Sequence, residues 1–217
     1  MGEINLLDLY PKSKRPIDER GSVITDEVRD IARQYGREFF DGDRLYGYGG
    51  YRYDGRWAPI VRRIAEHYEL AEDVMILDVG CAKGFMLHDF RQFMPNAKLA
   101  GLDISQYAVD HAMDSVKDCL TVGCASDLPY DDDSFDLVLS INTVHNLPPE
   151  ACKRALQEIM RVSRKHAFVT VDAWRTEEEH RRLMKWILTA HTYMSVDDWK
   201  QFFADAGYRR DYYWFIP

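Results

Sequence analysis

The stretch Leu77-Asp-Val-Gly-Cys-Ala-Lys-Gly-Phe85 constrains this 217-residue chain more than any other. It completes an apolar run, Val74-Met-Ile-Leu-Asp-Val79, whose continuity marks a strand buried on both faces. Gly80 and Gly84 then let the backbone turn tightly and approach a ligand with no Cβ in the way. Phe85, Met86, Phe90 and Phe93 follow at helical spacing. A strand, a glycine turn and a helix in that order place unpaired N–H groups and a positive dipole end at the carboxyl edge of a sheet. Doubly wound folds bind their ligands at that edge.

The pattern repeats downstream. Lys98–Asp103 reads as a second strand, and Ser105 caps a helix with Val109, Ala112, Met113 and Val116 inward. Short strands are expected at Leu120–Cys124 and Phe135–Ile141, a helix across Leu156, Ile159 and Met160, and a strand over His166–Asp172. This alternation predicts right-handed crossovers and a mostly parallel α/β sheet with helices on both faces. Beyond it, Thr176–Glu179 and Ser195–Asp198 read as helix caps, Gly207 as a helix stop, and Arg209–Ile216 as a final strand. Residues 1–56 differ. A basic turn, Pro11–Pro16, precedes a helix capped by Thr25 with Val28, Ile31, Ala32, Tyr35 and Phe39 on one face. A tyrosine- and glycine-dense loop follows up to Arg56. We expect an N-terminal helix-and-lid segment at 1–56 and one catalytic domain at 57–217.

Composition narrows the function. The net charge of −8 argues against a dedicated nucleic-acid binder, which needs clustered cations. No apolar run approaches the ~20 residues that cross a bilayer, so no membrane partner is expected. The four cysteines show no CxxC pair or zinc spacing, and no carboxylate–histidine cluster suggests a metal. With no secretory leader visible, a cytoplasmic location is expected.

A carboxylate at the end of the second strand, Asp103, can accept both hydroxyls of a ribose. Small residues at 123–126 leave room for a flat ring. Taken together, Leu-Asp-Val-Gly-Cys-Ala-Lys-Gly, Gly-Leu-Asp-Ile-Ser, Leu-Pro-Tyr-x-x-x-Ser-Phe-Asp and Leu-Val-Leu-Ser-Ile-Asn resemble the ordered motifs of class I S-adenosylmethionine-dependent methyltransferases over residues 57–172. That resemblance implies a Rossmann-like sheet of seven strands whose last strand is antiparallel. It implies S-adenosylmethionine as cofactor and S-adenosylhomocysteine as product. Asp78, Gly80 and Gly84 would line the methionine end, Asp103 the ribose, and Ala125 the adenine. Cys81, Ala82 and Lys83 of the turn, with Ile104, Ser126 and Asn142, complete the expected cofactor set. Ala82 stands where the family usually has glycine, and Cys124 where it commonly has aspartate. The Gly-Tyr-Gly-Gly-Tyr loop also resembles small bacterial methyltransferases of surface-polysaccharide gene clusters. A nicotinamide-dependent oxidoreductase is disfavoured because Ala82 and Phe85 occupy positions where the dinucleotide fingerprint wants glycine. A catalytically inactive cofactor-binding module is the other alternative.

The acceptor must be held by the flanking aromatic segments, and tyrosine suits polar rings such as sugars. Tyr46, Tyr51, Tyr53 and Tyr213 are the expected contacts, and Arg175 an orienting group. Lys83, Arg52 and Arg56 are candidates for an anionic group. The expected acceptor is a small polar metabolite, a sugar, nucleotide sugar or phosphorylated precursor, methylated on oxygen. Such a hydroxyl needs a base within hydrogen-bond reach. His145, just after the fourth strand, and Asp172, at the end of the fifth, compete for that role. The repeated glycines at 47, 49 and 50 suggest a mobile lid. Oligomeric state is not set by any motif.

Overall fold

The apolar runs become strands, each sending alternate side chains to opposite faces. In the computed structural model, which describes residues 2–11, 17–49 and 51–217, the chain opens with three short helices. These are α1 (Ile17–Val23), α2 (Asp26–Ala32) and α3 (Arg37–Asp41), followed by α4 (Ala58–His67). Then come β1 (Met75–Val79), α5 (Phe85–Phe93), β2 (Lys98–Asp103), α6 (Gln106–Asp110), β3 (Leu120–Val122) and β4 (Phe135–Ile141). The chain finishes with α7 (Pro149–Val162), β5 (Ser163–Trp174), α8 (Glu177–Trp186), β6 (Met194–Ser195), α9 (Val196–Ala206) and β7 (Asp211–Phe215). The basic turn expected from Pro11 to Pro16 lies outside the described residues from position 12 on, as does Gly50.

The sheet has seven strands in the order β3-β2-β1-β4-β5-β6, with β7 also paired to β5. Leu77, Val79, Val138, Val169 and Val171 point to a core covered by α7 and α9 through Leu156, Ile159, Trp199 and Phe203. Ile76, Leu137, Leu139 and Phe168 point the other way, onto α4 and α5 through Ile60, Ile64, Met86 and Phe90. That period of two across a sheet covered on both sides is why the strands read as continuous apolar runs. β1 lies between β2 and β4, so the chain order reverses beside it. The crevice that opens there is the expected ligand edge of such a sheet.

Three expectations are corrected. The final strand is parallel, not antiparallel: Phe168 to Asp172 of β5 pair with Asp211 to Phe215 in the same direction. The reason lies in the connection. β6 pairs with Ala173 and Trp174 at the carboxyl end of β5, and α9 then carries the chain onward before β7 begins. Parallel strands need such a crossover, and α9 supplies it between β6 and β7. The exposed side of β7 is partly covered by residues 2–4, since Ile4 N–H donates to Tyr212 O (2.9 Å). Second, the Thr25-capped helix stops at Ala32 rather than reaching Phe39, because Tyr35 takes a left-handed conformation (φ 49°) before α3. Third, the helix capped by Ser105 ends at Asp110, although Val116 is still buried. The Thr176 capping box forms as expected, whereas at Ser195 the hydroxyl accepts from Asp198 N–H.

Candidate functional site

A cavity of about 1420 Å³ opens above the carboxyl ends of β1, β2, β4 and β5. Its volume exceeds the ~300–1,000 Å³ usual for one small ligand, leaving room for two molecules side by side. Its floor is the glycine turn after β1. Gly80 adopts φ 87°, and a Cβ there would collide with Thr143, so backbone and strand end meet directly. Ala82 stands at φ 49°, a left-handed conformation that costs a residue with a side chain about 1 kcal/mol. The strain is held by Asp103, whose Oδ2 accepts from Ala82 N–H (2.8 Å) while Oδ1 accepts from Ser105 N–H (2.8 Å). Asp103 therefore builds the turn as well as facing the cavity.

Asp78 is the electrostatic oddity of the floor. It is 4% exposed, and its carboxyl has no hydrogen-bond partner among the described residues. Burial, and next the neighbouring Asp103 charge, push its pKa up to about 8. Burial also raises Asp103, with the two N–H bonds acting against it. A carboxyl without a hydrogen-bond partner beside one that keeps spare lone pairs makes a site suited to a cation and a diol together.

Most of the expected cofactor residues line this cavity: Asp78, Gly80, Cys81, Ala82, Lys83 and Asp103, with Ile104, Ala125 and Asn142. Gly84 and Ser126 do not. Gly84 starts α5 facing Val116, and the Ser126 hydroxyl lies 3.2 Å from Cys124 Sγ, while Cys124 itself borders the cavity.

At the other end, His145 and Asp172 are both buried, and they form a pair rather than two rivals. Asp172 N–H donates to His145 Nδ1 (3.3 Å), and His145 Nε2 faces Asp172 Oδ2 at 3.6 Å. Burial lowers the imidazole pKa, with the Asp172 charge opposing. A neutral ring whose Nδ1 accepts this hydrogen bond carries its own hydrogen on Nε2, on the side that faces the carboxylate. His145 thus has no free lone pair with which to take a proton. Asn142, Asn146 and Thr189 border the same end. Asn146 is fixed by donating to Asn142 O (3.3 Å) and accepting from Thr189 Oγ1 (2.8 Å).

The acceptor candidates divide. Tyr51, Arg56, Arg175 and Tyr213 line the cavity; Tyr46, Arg52 and Tyr53 do not. Tyr53 instead donates to Asp89 Oδ1 (2.6 Å) on α5, and Tyr46 packs among the residues of α2 and α3. Lys83, 7% exposed, is closed on both oxygens of Asp41 (2.7 Å each), and Arg56 on Asp54, so neither is open to an anion. Arg175 pairs with Glu3 (2.5 Å). The glycines read as marks of mobility have packing reasons: a Cβ on Gly47 would strike Phe39 O, and one on Gly49 would strike the Arg44 guanidinium. The sequence reading missed Tyr35, Phe39, Arg44 and Trp186, which all line the cavity. The aromatic spacing at Tyr35 and Phe39 was visible, but as a helix face.

No group of three or more His, Cys, Asp or Glu side chains arranged to hold a metal ion occurs among the described residues. No described helix is long and apolar enough to cross a membrane.

Comparison with known proteins agrees with the floor of this site. Residues 76–166 match the family described as methyltransferase domain, and the glycine turn after β1, Asp103 and His145 lie within that match. A tRNA (carboxymethyluridine(34)-5-O)-methyltransferase of Arabidopsis thaliana is 32% identical over 127 residues, covering 58% of this chain and 30% of that protein. The chain spans 30% to 60% of the lengths of the curated relatives it matches. Among solved structures, the YcgJ protein of Bacillus subtilis shares the fold, with a TM-score of 0.55 at 19% identity over 67% of this chain and 66% of that one. A chain of the Haloferax volcanii complex between the Trm112 methyltransferase activator and a protein assigned as a methyltransferase aligns with TM-score 0.54 and 25% identity, over 70% and 72% of the two chains. None of these three names a sugar or polysaccharide acceptor.

Proposed function

We propose that the chain is an S-adenosylmethionine-dependent methyltransferase acting on an oxygen of a small polar acceptor. The observation that carries this reading is the pair of buried strand-end carboxyls, Asp78 and Asp103, flanking a glycine turn inside the methyltransferase domain. The residues present fit the cofactor. Asp78 suits its cationic end, Asp103 still has lone pairs for the ribose hydroxyls, and the opening between Ile104 and Ala125 suits the adenine. Bound there, S-adenosylmethionine supplies a methyl group to the acceptor oxygen and leaves as S-adenosylhomocysteine.

The chain's own work is placement and proton removal. The Asp172 carboxylate accepts the proton of an acceptor hydroxyl as the new C–O bond forms, with His145 Nε2 facing that carboxylate at 3.6 Å. The aromatic walls from α2, α3 and the loop to Arg56 position the acceptor and exclude water, closing further when both ligands are bound. The tRNA-directed relative supports a second reading, in which the acceptor oxygen belongs to a tRNA nucleoside. The chain's net charge of −8 favours the small acceptor, surface-polysaccharide precursors included.

Calorimetry with S-adenosylmethionine and S-adenosylhomocysteine tests the cofactor, and a methyl-transfer screen of metabolites against tRNA tests the acceptor. Absence of binding to either adenosyl compound overturns the proposal. Methylation of tRNA with no metabolite accepted replaces the acceptor class.

A further inference from the structure

Most cations around the cavity are already neutralised: Lys83 by Asp41, Arg56 by Asp54, and Arg175 by Glu3. Arg44 is different. It lines the cavity, and among the described residues its guanidinium has no carboxylate or hydrogen-bond partner. The acids nearest in sequence are engaged elsewhere. Glu38 pairs with Arg37, Asp41 is shared by Lys83 and Tyr107, and Asp43 Oδ1 accepts from Leu45 N–H (2.8 Å).

Behind Arg44 stands a second cation. Arg20 on α1 is 8% exposed, and it too has no carboxylate partner among the described residues. Its guanidinium lies 5.3 Å from the centre of the Tyr48 ring and 5.0 Å from that of Trp186. It donates to Arg44 O (3.2 Å) and Gly47 O (3.3 Å), and its Nε is buried without a partner. The loop that carries Arg44 is thus tied down by its backbone while the Arg44 side chain stays uncommitted. Gly49, at φ 75°, leaves open the space into which Arg44 Nη1 lies. Two neighbouring arginines without a counter-charge, in a chain of net charge −8, form a local positive field at the Tyr48 and Trp186 end of the cavity. Tyr48 in turn accepts from Leu188 N–H (2.7 Å), close to the end that holds Asp172 and Thr189.

We infer that Arg44, backed by Arg20, is a subsite for an oxyanion, a carboxylate or phosphate carried by the acceptor. This deepens the methyl-transfer reading above and rests on it for the word acceptor. A planar guanidinium offers two parallel N–H donors to either group, whereas Lys83 and Arg56 already have a carboxylate as counter-charge.

The test is anion binding by the whole chain. Inorganic phosphate, and separately acetate, is titrated at constant ionic strength into the native protein, Arg44→Gln and Arg52→Gln. Binding is followed by the arginine Nε–H NMR signals. Saturable binding is expected for the native protein and for Arg52→Gln, with affinity about tenfold or more weaker in Arg44→Gln. Tighter binding of phosphate than of acetate assigns the group as a phosphate, and the reverse as a carboxylate. Equal affinity in Arg44→Gln and the native protein, or shifts that never saturate in any of them, overturns the subsite. Calorimetry of S-adenosylhomocysteine on the same samples keeps the two readings apart. Its affinity should be unchanged in Arg44→Gln. Loss of anion binding with cofactor binding kept is the expected signature, whereas anion binding without any cofactor binding supports the subsite and overturns the methyltransferase reading.

Discussion

The sheet and the N-terminal segment are held together by different means. The strands β1, β2, β4 and β5 are joined by backbone ladders and by side chains that alternate between two apolar cores, so position is set by a repeated pattern. Residues 17–57 have short helices that are too brief to be stable alone, and they are fastened by individual polar contacts. Asp41 binds Lys83 and Tyr107, Arg20 holds two loop carbonyls, Ser105 Oγ donates to Tyr35 O (2.5 Å), and Tyr53 donates to Asp89. The segment also packs through Val28, Ala32, Phe39 and Phe40 against Ala108 and Leu188, so its polar contacts fix where that small cluster sits. On the proposed function, the groups assigned to proton removal lie on the sheet and the walls assigned to the acceptor lie on the fastened segment, which predicts that chemistry and selectivity are separable by mutation.

The largest effect should come from the sheet side. Asp172→Asn should lower turnover by roughly 10²–10⁴, with S-adenosylhomocysteine affinity within about twofold of the native value, by steady-state kinetics and calorimetry. A loss of less than tenfold would move proton removal elsewhere or make the acceptor an already ionised oxygen. Asp103→Ala should weaken cofactor binding by about 1.5–3 kcal/mol, since it removes charge-assisted bonds both to the ribose and to the turn. A folded variant with native affinity would leave Asp103 a turn residue only.

Asp78 sharpens the comparison through pH. Its folded pKa, about 8, is above the unfolded carboxyl value, so the stability tied to it is fully present below pH ~4 and is lost as pH rises towards 8. The ligand-free protein should therefore lose up to about 1.4 kcal/mol per pH unit from this group across that window. Denaturant melts at a series of pH values should show this slope, and Asp78→Asn should remove it. S-adenosylhomocysteine, which brings an ammonium group, should flatten it as well. A native slope that survives Asp78→Asn would place the titration on another group.

The segment side should respond locally. Asp41→Asn leaves the nearly buried Lys83 ammonium without its carboxylate, at a cost of about 1–3 kcal/mol. Hydrogen exchange should speed up over residues 37–57 and stay native in β1, β4 and β5. Uniform acceleration across both would show that segment and sheet open as one unit. The smallest effect belongs to Tyr53→Phe, about 0.5–1.5 kcal/mol by thermal melt, because the ring still packs on Phe85 and His88.

The amino-acid sequence by itself determined the alternation of strands and helices from β1 to β5, the glycine turn, and the two strand-end carboxyls. All of these follow from local periodicity and from residue types whose backbone preferences act within a few positions. It also placed His145 and Asp172 at the right strand ends. Only the tertiary structure decided that they form one pair, because Asp172 N–H reaches across from β5 to a ring 27 positions away. The same holds for the cations. Lys83, Arg52, Arg56 and Arg44 look alike in sequence, and their fates depend on which carboxylate the fold brings within 3 Å. The parallel direction of β7 was likewise out of reach, since a five-residue aromatic strand reads the same both ways and its direction comes from the helix that delivers it.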